Sequence, residues 1–268
     1  MPRVRLVGPL LAAALVLAGC GGAGDGERVD TEPTPVDVGP LTLGQVVDAT
    51  LDAKTATYVI RNGWRAAMDF GIDGVYDLAA GSNHVVARSV YQDSGDREVH
   101  RIFERTVVGD QIFLREADVQ VGVEDDLDRP WRNVTRRFDR SAEAARGPEV
   151  VRLLKGLRPI DDGPIDDGIV PAVVPASRLL AVMVPDLLRA TKVEGDRTVE
   201  VEVSVLGGTI TSIQFEGGHV AKRLGKKQIS ALITDDFSYD PSGMGTVTVR
   251  LSGLGDKVTI AAPMGQRS

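Results

Sequence analysis

A single cysteine, Cys20, stands in a chain of 268 residues, so no internal disulfide can form and the core has no thiolate with which to hold a metal. Histidine is nearly as scarce. The chain has three, His84, His100 and His219, far apart and without any H-E-x-x-H or H-x-H pairing, so no metal ligands and no cofactor site are expected. A nucleophile elbow is missing as well. The nearest stretch, Asp240-Pro241-Ser242-Gly243-Met244, has Asp and Met where the two glycines should stand. Gly225-Lys226-Lys227 is not a phosphate loop, because Val220 occupies the earlier glycine position. A triad assembled from distant residues needs no motif, and an enzyme therefore stays as the third reading, behind two without catalysis. Basic excess is absent too: 31 Lys and Arg face 38 Asp and Glu, the reverse of a nucleic-acid binder. Aromatics make up only 4%, so the core must be built mainly from Val, Leu, Ile and Ala.

What the chain does have begins at its first residue. Arg3 and Arg5 precede an apolar run over 6–18, broken only by Gly8 and Pro9. A run this short is a signal core and not a membrane span, which needs about 20 apolar residues. Leu17, Ala18, Gly19 and Cys20 follow it, and this tetrad resembles the bacterial lipobox. The resemblance implies cleavage between Gly19 and Cys20 and diacylglycerol on the Cys20 sulfur. With two or three acyl chains the anchor holds firmly, where one would be marginal. The expected location is the extracytoplasmic face of the cell membrane, with the lipid on Cys20 as the membrane contact. No later apolar run is long enough to span a bilayer.

Residues 21–40 are rich in Gly, Asp, Glu, Pro and Thr and offer little to bury, as in a flexible tether. A single domain is expected over 41–264, with a tail at 265–268. Thr42 and Gln45 form a capping box, and Leu43, Val46, Val47 and Leu51 continue as a helical stripe to about Lys54. From Thr55 the period changes to two. Trp64, Ala66, Met68 and Phe70 fall on one strand face, with Arg65 and Asp69 on the other. Strand-like runs over 74–78, 85–91, 98–108 and 111–115 extend an antiparallel meander.

A short strand over 131–134 and helices over 149–157 and 177–189 come next, the last interrupted at Pro185. Asp161-Asp162-Gly163 and Asp166-Asp167-Gly168 read as solvated turns in preference to a calcium site, since their spacing fits no EF-hand loop. Val199, Val201, Val203 and Val205 alternate with polar residues as a half-buried strand, and further strands are expected over 210–215, 229–239, 246–251 and 258–261. Two basic groups, Arg132 with Arg136 and Arg140 and Lys222 with Arg223, Lys226 and Lys227, read as solvated faces. The order helix, strands, helices, strands predicts an α+β domain with a large, curved antiparallel sheet and helices packed on one face.

Three stretches resemble the LppX–LprG group of actinobacterial lipoproteins. They are Val47-Asp48-Ala49-Thr50-Leu51-Asp52-Ala53-Lys54-Thr55-Ala56-Thr57, then Gly71-Ile72-Asp73-Gly74-Val75-Tyr76-Asp77-Leu78, and Val247-Thr248-Val249-Arg250-Leu251-Ser252-Gly253-Leu254-Gly255-Asp256-Lys257-Val258-Thr259-Ile260 before Pro263. The first is similar to that group's opening helix and strand, the second to its G-x-x-D strand and the third to its last hairpin. The charged run over 222–236 fits no element of the group. The resemblance implies an open half-barrel like that of the LolA and LolB carriers, with helices on its concave face and an apolar cavity for acyl chains. It implies no catalytic residue. A lipid or lipoglycan carrier working with an envelope transport protein is then the first reading, and an adaptor with a filled core the second. Trp64, Met68 and Phe70, with Leu180, Met183 and Leu187, are the candidate cavity lining.

The anchor is directly testable. Cys20→Ser is expected to abolish acylation and leave the protein soluble or as an uncleaved precursor; recovery of a processed variant in the membrane fraction would contradict the lipobox reading.

Overall fold

A computed structural model describes residues 40–62, 70–92, 98–120, 130–135, 148–183, 197–232 and 245–264. The elements, in chain order, are helix α1 (Leu43–Asp52) and the strands β1 (Thr55–Asn62), β2 (Phe70–Asp77), β3 (Ser82–Gln92), β4 (Glu98–Val108), β5 (Gln111–Gln120) and β6 (Arg132–Asn133). Helix α2 (Glu149–Leu154), strands β7 (Arg158–Pro159) and β8 (Gly168–Pro175) and helix α3 (Ala176–Met183) come next. Strands β9 (Thr198–Leu206) and β10 (Thr209–Glu216), helix α4 (Gly217–Leu232) and strand β11 (Thr246–Ser252) complete the set. Among the described residues the fold is α+β, with one open, antiparallel sheet of eleven strands and four helices.

The strand order is β6-β5-β4-β3-β2-β1-β11-β10-β9-β8-β7. Strands β1 to β6 form the expected meander, each pairing with the next. The last strand, β11, inserts between β1 and β10 and joins the two halves. Its seam with β1 runs from Thr57 opposite Ser252 to Asn62 opposite Val247, and the Thr57 and Ser252 hydroxyls meet at 2.8 Å.

Alternation decides which side chains enter the core. Ala56, Tyr58, Ile60 and Asn62 of β1 are buried, as are Val199, Val201, Val203 and Val205 of β9 and Val247, Val249 and Leu251 of β11. Buried residues of all four helices join this side of the sheet in one apolar cluster, among them Val46 of α1, Leu153 and Leu154 of α2, Leu179 and Leu180 of α3, and Val220 and Leu224 of α4. Helix α2 packs on α3, α3 on α4, and α1 on β10.

Helix α1 opens on the capping box expected at Thr42 and Gln45, with each side chain bonded to the other's backbone N–H. It is fixed to the sheet by Thr50, which is fully buried. The Thr50 hydroxyl donates to Val46 O at 2.7 Å and accepts from the Ile210 N–H at 2.9 Å. The pairing of β10 with β9 shifts register between Ile210 and Ser212, and the helix thus serves a backbone donor beside that irregularity. The β9–β10 hairpin turns on Gly207 and Gly208, with φ of 59° and 71°; positive φ at both central residues is what a tight hairpin of matching twist requires.

Two expected strands are overturned and one strand was not expected, each for a physical reason. The 229–239 strand is overturned where it is described, since helix α4 runs through Leu232. Val220 and Leu224 bury one side of that helix while Lys222 and Arg223 stay exposed, a stripe of period near four that the local alternation at Ile229 and Ala231 obscured. No strand forms over 258–261, because β11 already has β1 on one side and β10 on the other. The segment after β11 instead turns at Gly253 and Gly255 and passes the start of β1, where Gly255 N donates to Thr55 O. Strand β8 was hidden by Pro171 and Pro175. It pairs with β9 along its length but with β7 only at Val173 and Ala172, so both prolines sit where no second ladder needs an N–H. Arg132 lies in β6, within the short strand expected over 131–134, and is exposed, while Arg136 and Arg140 lie outside the described residues.

Candidate functional site

Of the six expected lining residues, the structure brings two together. Leu180 and Met183, one helical turn apart on α3, are 0% and 1% exposed in the shared core. Phe70 opens β2, where its backbone pairs with Ser89. Trp64, Met68 and Leu187 lie outside the described residues, as do Leu17, Ala18, Gly19 and Cys20.

The chemistry in this interior is polar and was not expected. It starts from Gly74, which pairs with Tyr58 on one side and with Val85 on the other; Val85 in turn pairs with Arg105. These four residues form one transverse row across β1, β2, β3 and β4, all on the core side. Tyr58 lies flat across Gly74, so that a Cβ there would sit 2.1 Å from its Cζ and 2.5 Å from its hydroxyl oxygen. Glycine is needed at 74 to let the phenol cross the strand. Tyr76, the neighbour of Tyr58 across one further row, has its ring centroid 6.4 Å from that of Tyr58.

Arg105 reaches into the same interior from β4 and is fully buried. Its Nη2 donates to Oε1 of Glu149, the first residue of α2, itself 4% exposed. The Arg152 guanidinium lies 3.8 Å from the same carboxylate oxygen, with about a third of its side chain exposed. Arg178 of α3 braces this helix from outside by donating to the Arg152 carbonyl at 2.6 Å. An ion pair therefore joins the sheet to α2 through an otherwise apolar layer. Burial is the main reason that the Tyr58 phenol is driven far above its ordinary range, with Glu149 adding to the effect and Arg105 opposing it. Burial likewise pushes Tyr76 up to about 12. Both phenols stay protonated and are hydrogen-bond donors at any physiological pH. Burial lowers Arg152, which Glu149 partly offsets.

A second polar group occupies the opposite side of the same strands, since Glu104 and Thr106 flank Arg105 and alternate away from it. Arg115 donates to Glu104 at 2.7 Å and lies 5.0 Å from the centroid of the Trp131 ring. His84 Nδ1 meets the Thr106 hydroxyl at 2.8 Å, and burial lowers the His84 pKa. These contacts cover β4 and β5 with the β6 segment and form a packing layer.

No family model matches the chain, and no curated protein matches it either.

One signal for the inner cluster was present in the sequence. Val99, Phe103, Arg105 and Val107 share the inward phase of β4, so Arg105 is a charge at an apolar position. Such a residue requires a partner, but nothing in the spacing points to Glu149, 44 residues on. Asp161, Asp162, Asp166 and Asp167 are exposed, in keeping with solvated turns.

The crossing of Tyr58 over Gly74 gives a direct test. Gly74→Ala is expected to lose roughly 1–3 kcal/mol by overpacking, measured by denaturant unfolding. In a Tyr58→Ala background the same change is expected to cost less than about 1 kcal/mol, because the clashing ring is gone. Equal costs in the two backgrounds would show that the ring does not rest on Gly74.

Proposed function

We propose that this chain is a lipid-anchored envelope protein of the LppX–LprG kind, which carries a lipid or lipoglycan between envelope partners and catalyses no reaction. In this reading the anchor is Cys20, on the extracytoplasmic face of the cell membrane, and residues 21–40 form the tether. The ligand lies in an apolar cavity between a curved sheet and helices on its concave face.

The observation that carries the proposal is the architecture: an open sheet of eleven antiparallel strands, with helices whose buried faces join a single cluster on one side. Twisted open sheets beyond about ten strands curl or split, and a curled sheet has a hollow that a short helix layer must fill or leave for a ligand. With aromatics at 4%, the chain has few large side chains with which to fill it. A filled-core adaptor of the same fold is the second reading. It is favoured by the near-complete burial of Leu180 and Met183, which makes them packed core in this structure.

The two readings separate on what the protein holds when it is purified. Mass spectrometry of organic extracts from the native protein is expected to find a lipid near one per chain, beyond the acyl groups on Cys20. A lipid-free protein that copurifies with an envelope partner would favour the adaptor instead.

A further inference from the structure

Among the described residues, the polar group on the inner side of the sheet is unbalanced in both charge and hydrogen bonding: Arg105, Arg152 and Arg178 bring three guanidiniums to the neighbourhood of one carboxylate, Glu149. Among the described residues Arg105 spends one nitrogen on Glu149, while its Nε and Nη1 are buried without a partner, as are the hydroxyls of Tyr58 and Tyr76. Native interiors leave few such atoms unserved, and each one calls for a partner. All four are donors. The Tyr58 ring tip lies on Gly74, in the same row as Arg105, and Tyr58 senses the charges of Arg105, Glu149 and Arg152. The donors therefore belong to one patch.

We propose that Arg105, Tyr58 and Tyr76 form a receptor for an oxyanion, a phosphate or a carboxylate, held inside the apolar layer beneath α2. Water could accept from the hydroxyls but would leave the excess positive charge uncompensated. A sugar hydroxyl has the same shortcoming, and a cation would be repelled. An oxyanion supplies several acceptor lone pairs together with the missing negative charge, and its bonds to such donors are the strong, charge-assisted kind. Arg152, at the partly exposed edge of the patch, marks the side facing solvent. The source of the anion rests on the carrier reading: a lipid with an anionic headgroup would place its charge here and its chains among residues such as Leu180 and Met183.

Binding to the full chain in a non-ionic detergent, measured by calorimetry, tests this with oleoyl lysophosphatidate, monooleoylglycerol and inorganic phosphate. Lysophosphatidate is expected to bind at least about tenfold more tightly than monooleoylglycerol, the ratio that charge-assisted hydrogen bonds support. Tyr58→Phe/Tyr76→Phe keeps both rings and removes two unpartnered hydroxyls, so it is expected to fold with an undiminished Tm and to lose most of that preference. Should phosphate alone bind as tightly as lysophosphatidate, and lose its binding in the same variant, the receptor stands and the carrier reading falls. Equal binding of the charged and uncharged lipids without any phosphate binding would overturn the receptor and leave the carrier reading in place. A preference that survives in the double variant would also overturn it.

Discussion

A guanidinium cannot be left alone in an apolar layer, and that constraint organises the centre of this protein. Arg105 projects from the middle of a strand into the core, where an isolated charge would cost many kcal/mol. Glu149 answers it, which brings the first turn of a six-residue helix down onto the sheet. The remaining side chains in the row follow from this placement. Tyr58 can extend toward Arg105 only because Gly74 has no side chain to block it. Arg178 then fixes the same short helix to α3, so the ion pair, the sheet and the helix layer are one mechanical unit.

The sheet provides the frame for this unit through its closing strand. Because β11 fills the position between β1 and β10, the first and last described strands zip together and the two halves of the chain become one surface. Helices α2, α3 and α4 are connections between strands, while α1 precedes β1 and is bonded to a β10 backbone N–H through Thr50. The interior that results is apolar across the β9 and β11 half and polar at the β1–β4 row. That asymmetry is the basis for reading the molecule as a holder of something amphiphilic.

Much of the fold was legible in the sequence, because its strands obey a clean period of two and α1 carries a full capping box. Strand β4 was expected over 98–108 and forms over Glu98–Val108. The failures lie where a local signal competed with tertiary context: Pro171 and Pro175 in β8, the alternation near Ile229 in α4, and the segment after Gly253 that finds no free sheet edge. The candidate site was less legible. Leu180 and Met183 were found by helical spacing, whereas the ion pair joins residues 44 apart and depends on how α2 packs. A charge in the inward phase of β4 could have flagged Arg105, but its partner is a property of the folded chain.

On the proposed reading, the buried charge of Arg105 is kept for the oxyanion it binds, with Glu149 as its partner, and not for stability. A thermodynamic cycle on Arg105→Met, Glu149→Met and the double variant measures this most directly. Each single change strands a buried charge and is predicted to lose about 3–5 kcal/mol, whereas the double variant, with apolar side chains of similar size, is predicted to recover most of that loss. A double variant as unstable as the worse single would contradict the account and make the pair a structural strut.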